Sequence, residues 1–226
     1  MVAKISVIIP ACNEEKYIKK TLNSLKNQTT SQFEVIVVCN GCTDNTKEVA
    51  EQFAVQILES KEANVSKARN LGAKHARGEI LVFLDADTIL ETDALKTVRR
   101  GFSQKQSVAT TLLQPDTTKL SHHYAIKFKN FYNTKNFYQG CSGVLICRKD
   151  DFEKAGKYPE LHVREHRKLT VELMKLGEYK VITTTATTSM RRYNQLGMSN
   201  VFFFWVKQWG KDKVNKLNDS NYTRIR

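Results

Sequence analysis

Two carboxylates one residue apart, Asp85 and Asp87, close the segment EILVFLDADT (79–88), directly after an unbroken apolar run from Ile80 to Leu84. Such a run reads as a strand covered on both faces, because a strand needs to alternate only where one face meets water. The acids then fall at its C-terminal end, the edge of an open α/β sheet where ligands bind. Two aspartates there repel one another and lose hydration, so they require a cation or strong hydrogen-bond donors beside them. A hard divalent ion, magnesium or manganese, meets that need: it takes few protein carboxylates and fills its remaining positions with water and phosphate oxygens. The pair therefore suggests a metal bridging the protein to a diphosphate. The competing reading is structural, with Asp85 capping a turn and Asp87 capping a short helix before Ile89.

The elements that would position these acids alternate along the chain. Strand-like segments occur at KISVIIP (4–10), FEVIVV (33–38), VQIL (55–58) and EILVFL (79–84). Between them, Ile18, Leu22 and Leu25 recur at helical spacing, as do Val49, Ala50, Phe53 and Ala54, and NVSKARNLGAKHA reads as a third helix. Thr43 to Thr46 offers capping residues for the second helix. Strand and helix in alternation predict an α/β fold with a mostly parallel sheet and helices on both faces. After the acids the pattern changes. Thr92 is positioned to cap a helix through Leu95, Val98 and Phe102, and strands follow at SVATTLL, GVLIC and YKVITTT. Tyr124, Phe128, Phe131 and Tyr132 share one helical stripe with lysines interleaved, a pattern that predicts a core-facing surface. Leu169, Leu173 and Leu176 define another helix ending at Gly177.

The formal net charge of +13 implies an anionic partner, whether nucleic acid, an acidic membrane or phosphorylated small molecules. Ile5 to Ala11 runs straight into CNEEKYIKK, so no secretion leader is expected, and VFFFWV (201–206) is too short to span a bilayer. Five cysteines, an odd number, fit reduced thiols in a cytoplasmic protein. Cys39 and Cys42 have CxxC spacing, but no second pair completes a zinc site.

Taken in order, SVIIPACNEEKYIKKTLNSLKNQ, VIVVCNGCTDNT and KARNLGAKHARGEILVFLDADT resemble glycosyltransferase family 2, enzymes with the GT-A fold. The resemblance runs from about residue 5 to 90 and continues more weakly to about 195. It implies a catalytic domain over 1–195, with a nucleotide-sugar half at 1–90, an acceptor-side half at 91–195, and an aromatic and basic segment at 196–226. Pro10, Ala11, Asn13 and Glu14 match the family's PxxNE segment beside base and ribose. Asn40 and Asp44 stand in NGCTD where many members have DDGSTD, and an amide in place of an acid changes what the base edge can offer. Arg69, in ARN, would help hold the site near the donor phosphates. Asp85 would accept from sugar or ribose, and Asp87, with Asp85, would ligate manganese or magnesium.

An inverting transfer requires a base for the acceptor hydroxyl. REHRKLTVELMKLG resembles the family's acidic pair and following helix, with Glu165 in place and His166 where the Asp normally stands. His166 is the expected base, an unperturbed imidazole titrating near pH 6.5, and Glu165 its orienter or substitute. Arg148 is expected at an acceptor or donor phosphate, and Arg191 and Arg192 on a flexible loop closing over the diphosphate. The QxxRW signature of processive members is lacking, which implies one sugar per visit. NVFFFWVKQWGKDKVNK suits an anionic membrane surface, and hence a lipid-linked acceptor, or packs against the core or a second subunit. Expected partners are therefore a nucleotide-diphosphate sugar, a glycan or lipid-linked acceptor and an anionic membrane surface. No RNA-binding motif is present and no nucleic acid is expected. The alternative is a non-catalytic basic nucleotide- or RNA-binding protein on a relic of this fold. A nucleotidyltransferase would carry a Gly-rich activating loop where PACNEEKY stands. Cys12, Cys39 and Cys42 fall at strand ends lining the expected nucleotide pocket, so their oxidation would block the donor.

Overall fold

The structure is a computed structural model that describes residues 5–161 and 163–213. Among these, β1 (Ile5–Ala11), β2 (Phe33–Asn40), β3 (Gln56–Ser60) and β4 (Ile80–Leu84) alternate with α1 (Ile18–Lys26), α2 (Thr46–Glu51) and α3 (Val65–His75). The chain continues through β5 (Thr88–Leu90), α4 (Ala94–Gly101), β6 (Gln106–Pro115), α5 (Leu120–Thr134), β7 (Val144–Arg148), α6 (Lys149–Lys154) and α7 (Glu165–Met174). β8 (Glu178–Thr188), α8 (Arg191–Leu196) and α9 (Met198–Lys213) complete it.

The strands form one sheet in the order β3-β2-β1-β4-β7-β6-β8-β5. The four N-terminal strands are mutually parallel. β7 runs antiparallel to both β4 and β6, β6 and β8 are parallel, and β5 is antiparallel to β8. Four strand spacings, about 19 Å, separate β4 from β5 in a flat sheet. Four residue steps from Leu84 to Thr88 reach only about 14 Å. The sheet therefore curls, bringing β5 against α1 and β8 against α4.

The apolar runs are buried on both faces, as their lack of alternation predicts. Ile5, Val7, Ile9, Val82 and Leu84 pack with α1, α2 and α4 on one side. Ile8, Leu81 and Phe83 pack with α3, α6 and α7 on the other. Gly72 allows α3 to lie close on β1, since a Cβ there would sit 2.4 Å from Ile8 Cγ2. Asn64 caps α3 by accepting from the Lys67 amide at 3.1 Å.

Three sequence expectations are corrected. The aromatic stripe of α5 faces outward: Leu120, Tyr124, Phe128 and Phe131 are exposed, while His122, Ile126 and Asn133 are buried. Helical spacing sets the width of a stripe, not which of two stripes turns inward. Asp87 is followed by strand β5 rather than a helix, so it caps none. Arg191 and Arg192 begin helix α8 instead of lying in a loop. No helix among the described residues is long and apolar enough to cross a membrane. The tail beyond Lys213, part of the segment expected to meet a membrane, lies outside the described residues.

Candidate functional site

Because β1, β2 and β4 are parallel, their C-terminal ends share one edge. Past β4 the Asp85 amide donates to Gly143 O at 2.9 Å, and the Thr88 amide donates back to Asp85 O at 3.0 Å. Gly143 holds φ +72°, and a Cβ on it would lie 3.0 Å from Thr88 Oγ1. The Thr21 hydroxyl donates to Ala86 O at 2.8 Å. These bonds fix the DAD turn from three directions.

Arg69, on α3 and only 3% exposed, is the hub of the site. One guanidinium nitrogen donates to Asp85 Oδ1 at 2.8 Å, another to Glu165 Oε1 at 2.9 Å, at the first turn of α7. Its carbon lies 5.1 Å from the centre of the Tyr158 ring. Burial raises the Asp85 carboxyl, but the Arg69 charge, reinforced by His166 and Arg191, holds it below its ordinary value. The Tyr158 hydroxyl is 3.0 Å from His166 Nδ1. His166 Nε2 is buried and has no partner. Burial and then the Arg69 charge depress the imidazole to about 4, against the opposing pull of Glu165 and Asp85. His166 is therefore neutral near pH 7 and turned away from water.

A second cluster centres on Arg191. It donates to both Glu14 oxygens at 2.7 and 2.6 Å, reaches Asp87 Oδ2 at 3.2 Å and stacks 4.5 Å from the Tyr17 ring centre. Burial pushes the Asp87 carboxyl up to about 7, the Asp85 and Glu14 charges adding to it and Arg191 opposing. Asp87 is thus short of positive charge even with an arginine beside it. Among the described residues, no three His, Cys, Asp or Glu side chains form a closed metal cage. Asp87 with Asp85 fits instead an open site in which water and diphosphate oxygens supply most ligands of a magnesium or manganese ion.

The remaining residues at this edge belong to its loops. Pro10 and Ala11 are buried at the end of β1. Asn13 takes φ 57° and binds Thr43 twice, donating to its hydroxyl at 2.9 Å and accepting from its amide at 2.7 Å. Asp44 accepts from the Thr46 amide, the Thr46 hydroxyl and the Glu15 amide. Burial alone would raise that carboxyl, but these bonds hold it below its usual range. Its oxygens are committed to joining two loops. Asn40 is buried at the end of β2 with an unpartnered Oδ1. The Cys42 thiol, hydrogen-bonded to Ala11 O at 3.3 Å, is lowered to about 6 by its contact with Cys39, burial opposing.

Arg148 does not join this edge. β7 is antiparallel to β4, so Arg148 pairs with Ile80, the first residue of β4 and not the last. There it donates to the carbonyls of Gln106 and Ser103 at 2.5 Å and covers the Phe102 ring. Arg192 follows Arg191 in α8. Two contributors were not among the expected site residues. Tyr158 links Arg69 to His166, and Lys129, from the inner side of α5, is near enough to Asp85 and His166 for its charge to act on them. Burial lowers Lys129 to about 8, with Asp85 opposing.

The family model for glycosyl transferase family 2 matches residues 6–149. The chain belongs to that family. Glycosyltransferase AglE of Haloferax volcanii is 43% identical over 91 residues, covering 37% of this chain and 30% of that protein. The Staphylococcus aureus poly(ribitol-phosphate) beta-N-acetylglucosaminyltransferase TarS is 39% identical over 101 residues, covering 41% of this chain and 18% of its own length. Glycosyltransferase GlyA of Streptococcus pneumoniae is 33% identical over 109 residues, 46% of this chain and 16% of that protein. The match thus spans less than a third of each of these relatives. Among solved structures, S. aureus TarS 1–349 in complex with UDP-GlcNAc has a TM-score of 0.66 at 22% identity, covering 83% of this chain and 59% of that one. Mannosyltransferase PcManGT from Pyrobaculum calidifontis, in complex with GDP-Man and Mn2+, has a TM-score of 0.73 at 16% identity, covering 99% and 66%. The family 2 chain described here has the GT-A fold of these neighbours.

Proposed function

We propose that this family 2 protein transfers a sugar, with inversion and one residue per visit, from a nucleoside-diphosphate sugar to a hydroxyl acceptor. The observation that carries the reading is the Arg69 clamp, which ties Asp85, on the donor edge, to Glu165, at the start of α7. A single buried guanidinium thus positions two acids for two tasks. The donor class is supported by the nucleotide sugars in the TarS and PcManGT structures. The nucleoside lies over Pro10, Ala11, Asn13 and Asn40, whose amide offers both a donor and an acceptor to a base edge.

In the transfer the acceptor oxygen forms a bond to the anomeric carbon while the bond from that carbon to the diphosphate oxygen breaks. Glu165 takes the hydroxyl proton. This reading puts Glu165 ahead of His166, because the Glu165 carboxylate keeps 13% of its surface in water while bound to the same guanidinium as Asp85, whereas His166 is weakened as a base and its Nε2 is enclosed. His166 instead braces Tyr158 under Arg69. Arg191 answers the negative charge that grows on the leaving diphosphate. A magnesium or manganese ion held by Asp87 with Asp85 would supply Lewis-acid stabilisation of that same group. The acceptor is a glycan or lipid-linked hydroxyl, met in the cytoplasm at the membrane's inner face.

Slow hydrolysis of UDP- and GDP-sugars, with water in place of the acceptor, tests the assignment through nucleoside-diphosphate release. Asp87→Asn and Glu165→Gln are each expected to lower release at least about 100-fold. Release from wild type that both variants retain in full would overturn it.

A further inference from the structure

The outer face of α5 is an exposed apolar surface that the transfer chemistry does not use. Leu120, Tyr124 and Phe128 follow at four-residue steps, and Phe131 and Phe137 extend the stripe. All are exposed, Tyr124 and Phe137 to 69%. The rings touch one another, with Phe128 and Tyr132 centroids 4.4 Å apart and Phe131 and Phe137 6.2 Å apart, and so form one apolar surface. Exposed aromatic clusters of this kind mark a surface with a partner.

The charge around it says which partner. From Thr117 to Tyr138, the stretch that carries the stripe, the chain has four lysines, at 119, 127, 129 and 135, and no acidic residue. Lys127 and Lys135 are exposed alongside the rings. Aromatics seated at acyl chains with lysines at head groups are the chemistry of a helix lying in an anionic lipid interface. The whole chain, at +13, is drawn the same way.

The location gives the surface a use. α5 carries the stripe on one side and, on the other, Lys129, whose charge acts on Asp85. The loop after α5 holds Phe137, then ends at Gly143, whose carbonyl binds the Asp85 amide. We infer that the aromatic face of α5 docks this protein on an anionic bilayer, placing the Asp85 edge where a lipid-linked acceptor emerges. The purpose of docking rests on the transfer reading above; the docking itself does not.

Co-sedimentation with vesicles of phosphatidylglycerol and phosphatidylcholine, against pure phosphatidylcholine, tests this without donor or acceptor. Wild type is expected to pellet with the anionic vesicles and to be released as salt rises from about 50 to 500 mM. Phe128→Ser/Phe131→Ser/Phe137→Ser should weaken that binding at least about tenfold while leaving the melting temperature and donor binding in place. Lys127→Glu/Lys135→Glu should weaken it on anionic vesicles alone. Wild type remaining in the supernatant, or the triple serine variant pelleting like wild type, overturns the proposal. So does sedimentation velocity showing that the same face joins two copies of the chain. None of these results bears on whether the Asp85 edge binds a nucleotide sugar.

Discussion

The Asp85 edge and the outer face of α5 depart from the usual division of interior and surface in opposite directions. At the edge, Arg69, Asp87, Glu14, Glu165 and Arg191 are largely withdrawn from water. On α5 the rings are in water, and the sequence from Thr117 to Tyr138 that carries them has no acid. Burying charge costs several kcal/mol per ion unless partners compensate, and exposing aromatics forgoes about 2 kcal/mol each. The two apolar cores, one on each face of the sheet, contain neither the charged groups of the edge nor the outer rings of α5. The difference teaches that charge drawn inward is held by protein partners and serves chemistry at a fixed geometry, while apolar surface turned outward is left for something outside the chain.

Removing the hub should break the inward side of the contrast. Arg69→Met leaves Asp85 and Glu165 without their shared cation and is expected to destabilise the protein by about 3–5 kcal/mol in urea denaturation. Adding Glu165→Gln to Arg69→Met should recover part of that loss, because one uncompensated acid is gone. Glu165→Gln alone should cut turnover about 100-fold or more with donor affinity nearly intact. With Glu165 proposed as the base and His166 Nδ1 bonded to the Tyr158 hydroxyl, His166→Gln is expected to keep turnover within about tenfold.

His166 adds a pH signature. Its folded value, about 4, lies below the ordinary imidazole value, so the unfolded chain binds the extra proton between those two points. Its contribution is complete above pH 6.5 and is lost as pH falls towards 4, by about 3 kcal/mol at 1.4 kcal/mol per unit. Asp87, raised to about 7, acts in the opposite sense, favouring the folded state as acid is added through that range. The difference between wild type and His166→Gln stability curves therefore isolates the imidazole, and should flatten above pH 6.5.

On α5 the two sides should separate cleanly. Ile126→Ala, on the buried side, is expected to cost about 2–4 kcal/mol. Phe128→Ser, on the exposed side, should change stability by no more than about 0.5 kcal/mol. Equal losses would mean that the stripe is packed in solution, and the contrast would fail.

The N-terminal half of this arrangement is legible in the residues themselves. Apolar runs covered on both faces give β1, β2 and β4, and three motifs end on one edge because parallel strands end together. Arg148 shows where that logic stops. GVLIC is recognisable as a strand, but its direction depends on pairing with β4, and antiparallel pairing sends Arg148 to the far edge. Lys129 was hidden among similar lysines, since nothing local says which of Lys127, Lys129 and Lys135 turns inward. Nor does the local sequence show that His166 is enclosed beside Arg69, which comes from a helix nearly a hundred residues away, so that burial first and then that charge depress the imidazole.

The central claim is that the Asp85 and Asp87 edge binds a nucleoside-diphosphate sugar with a divalent ion. Isothermal titration of UDP- and GDP-sugars into wild type and Asp87→Asn, in manganese, magnesium or chelator, tests it most directly. Saturable binding of one nucleotide class that requires the metal and is lost in Asp87→Asn is the predicted result. Binding equally tight in chelator, or unchanged in Asp87→Asn, would contradict it.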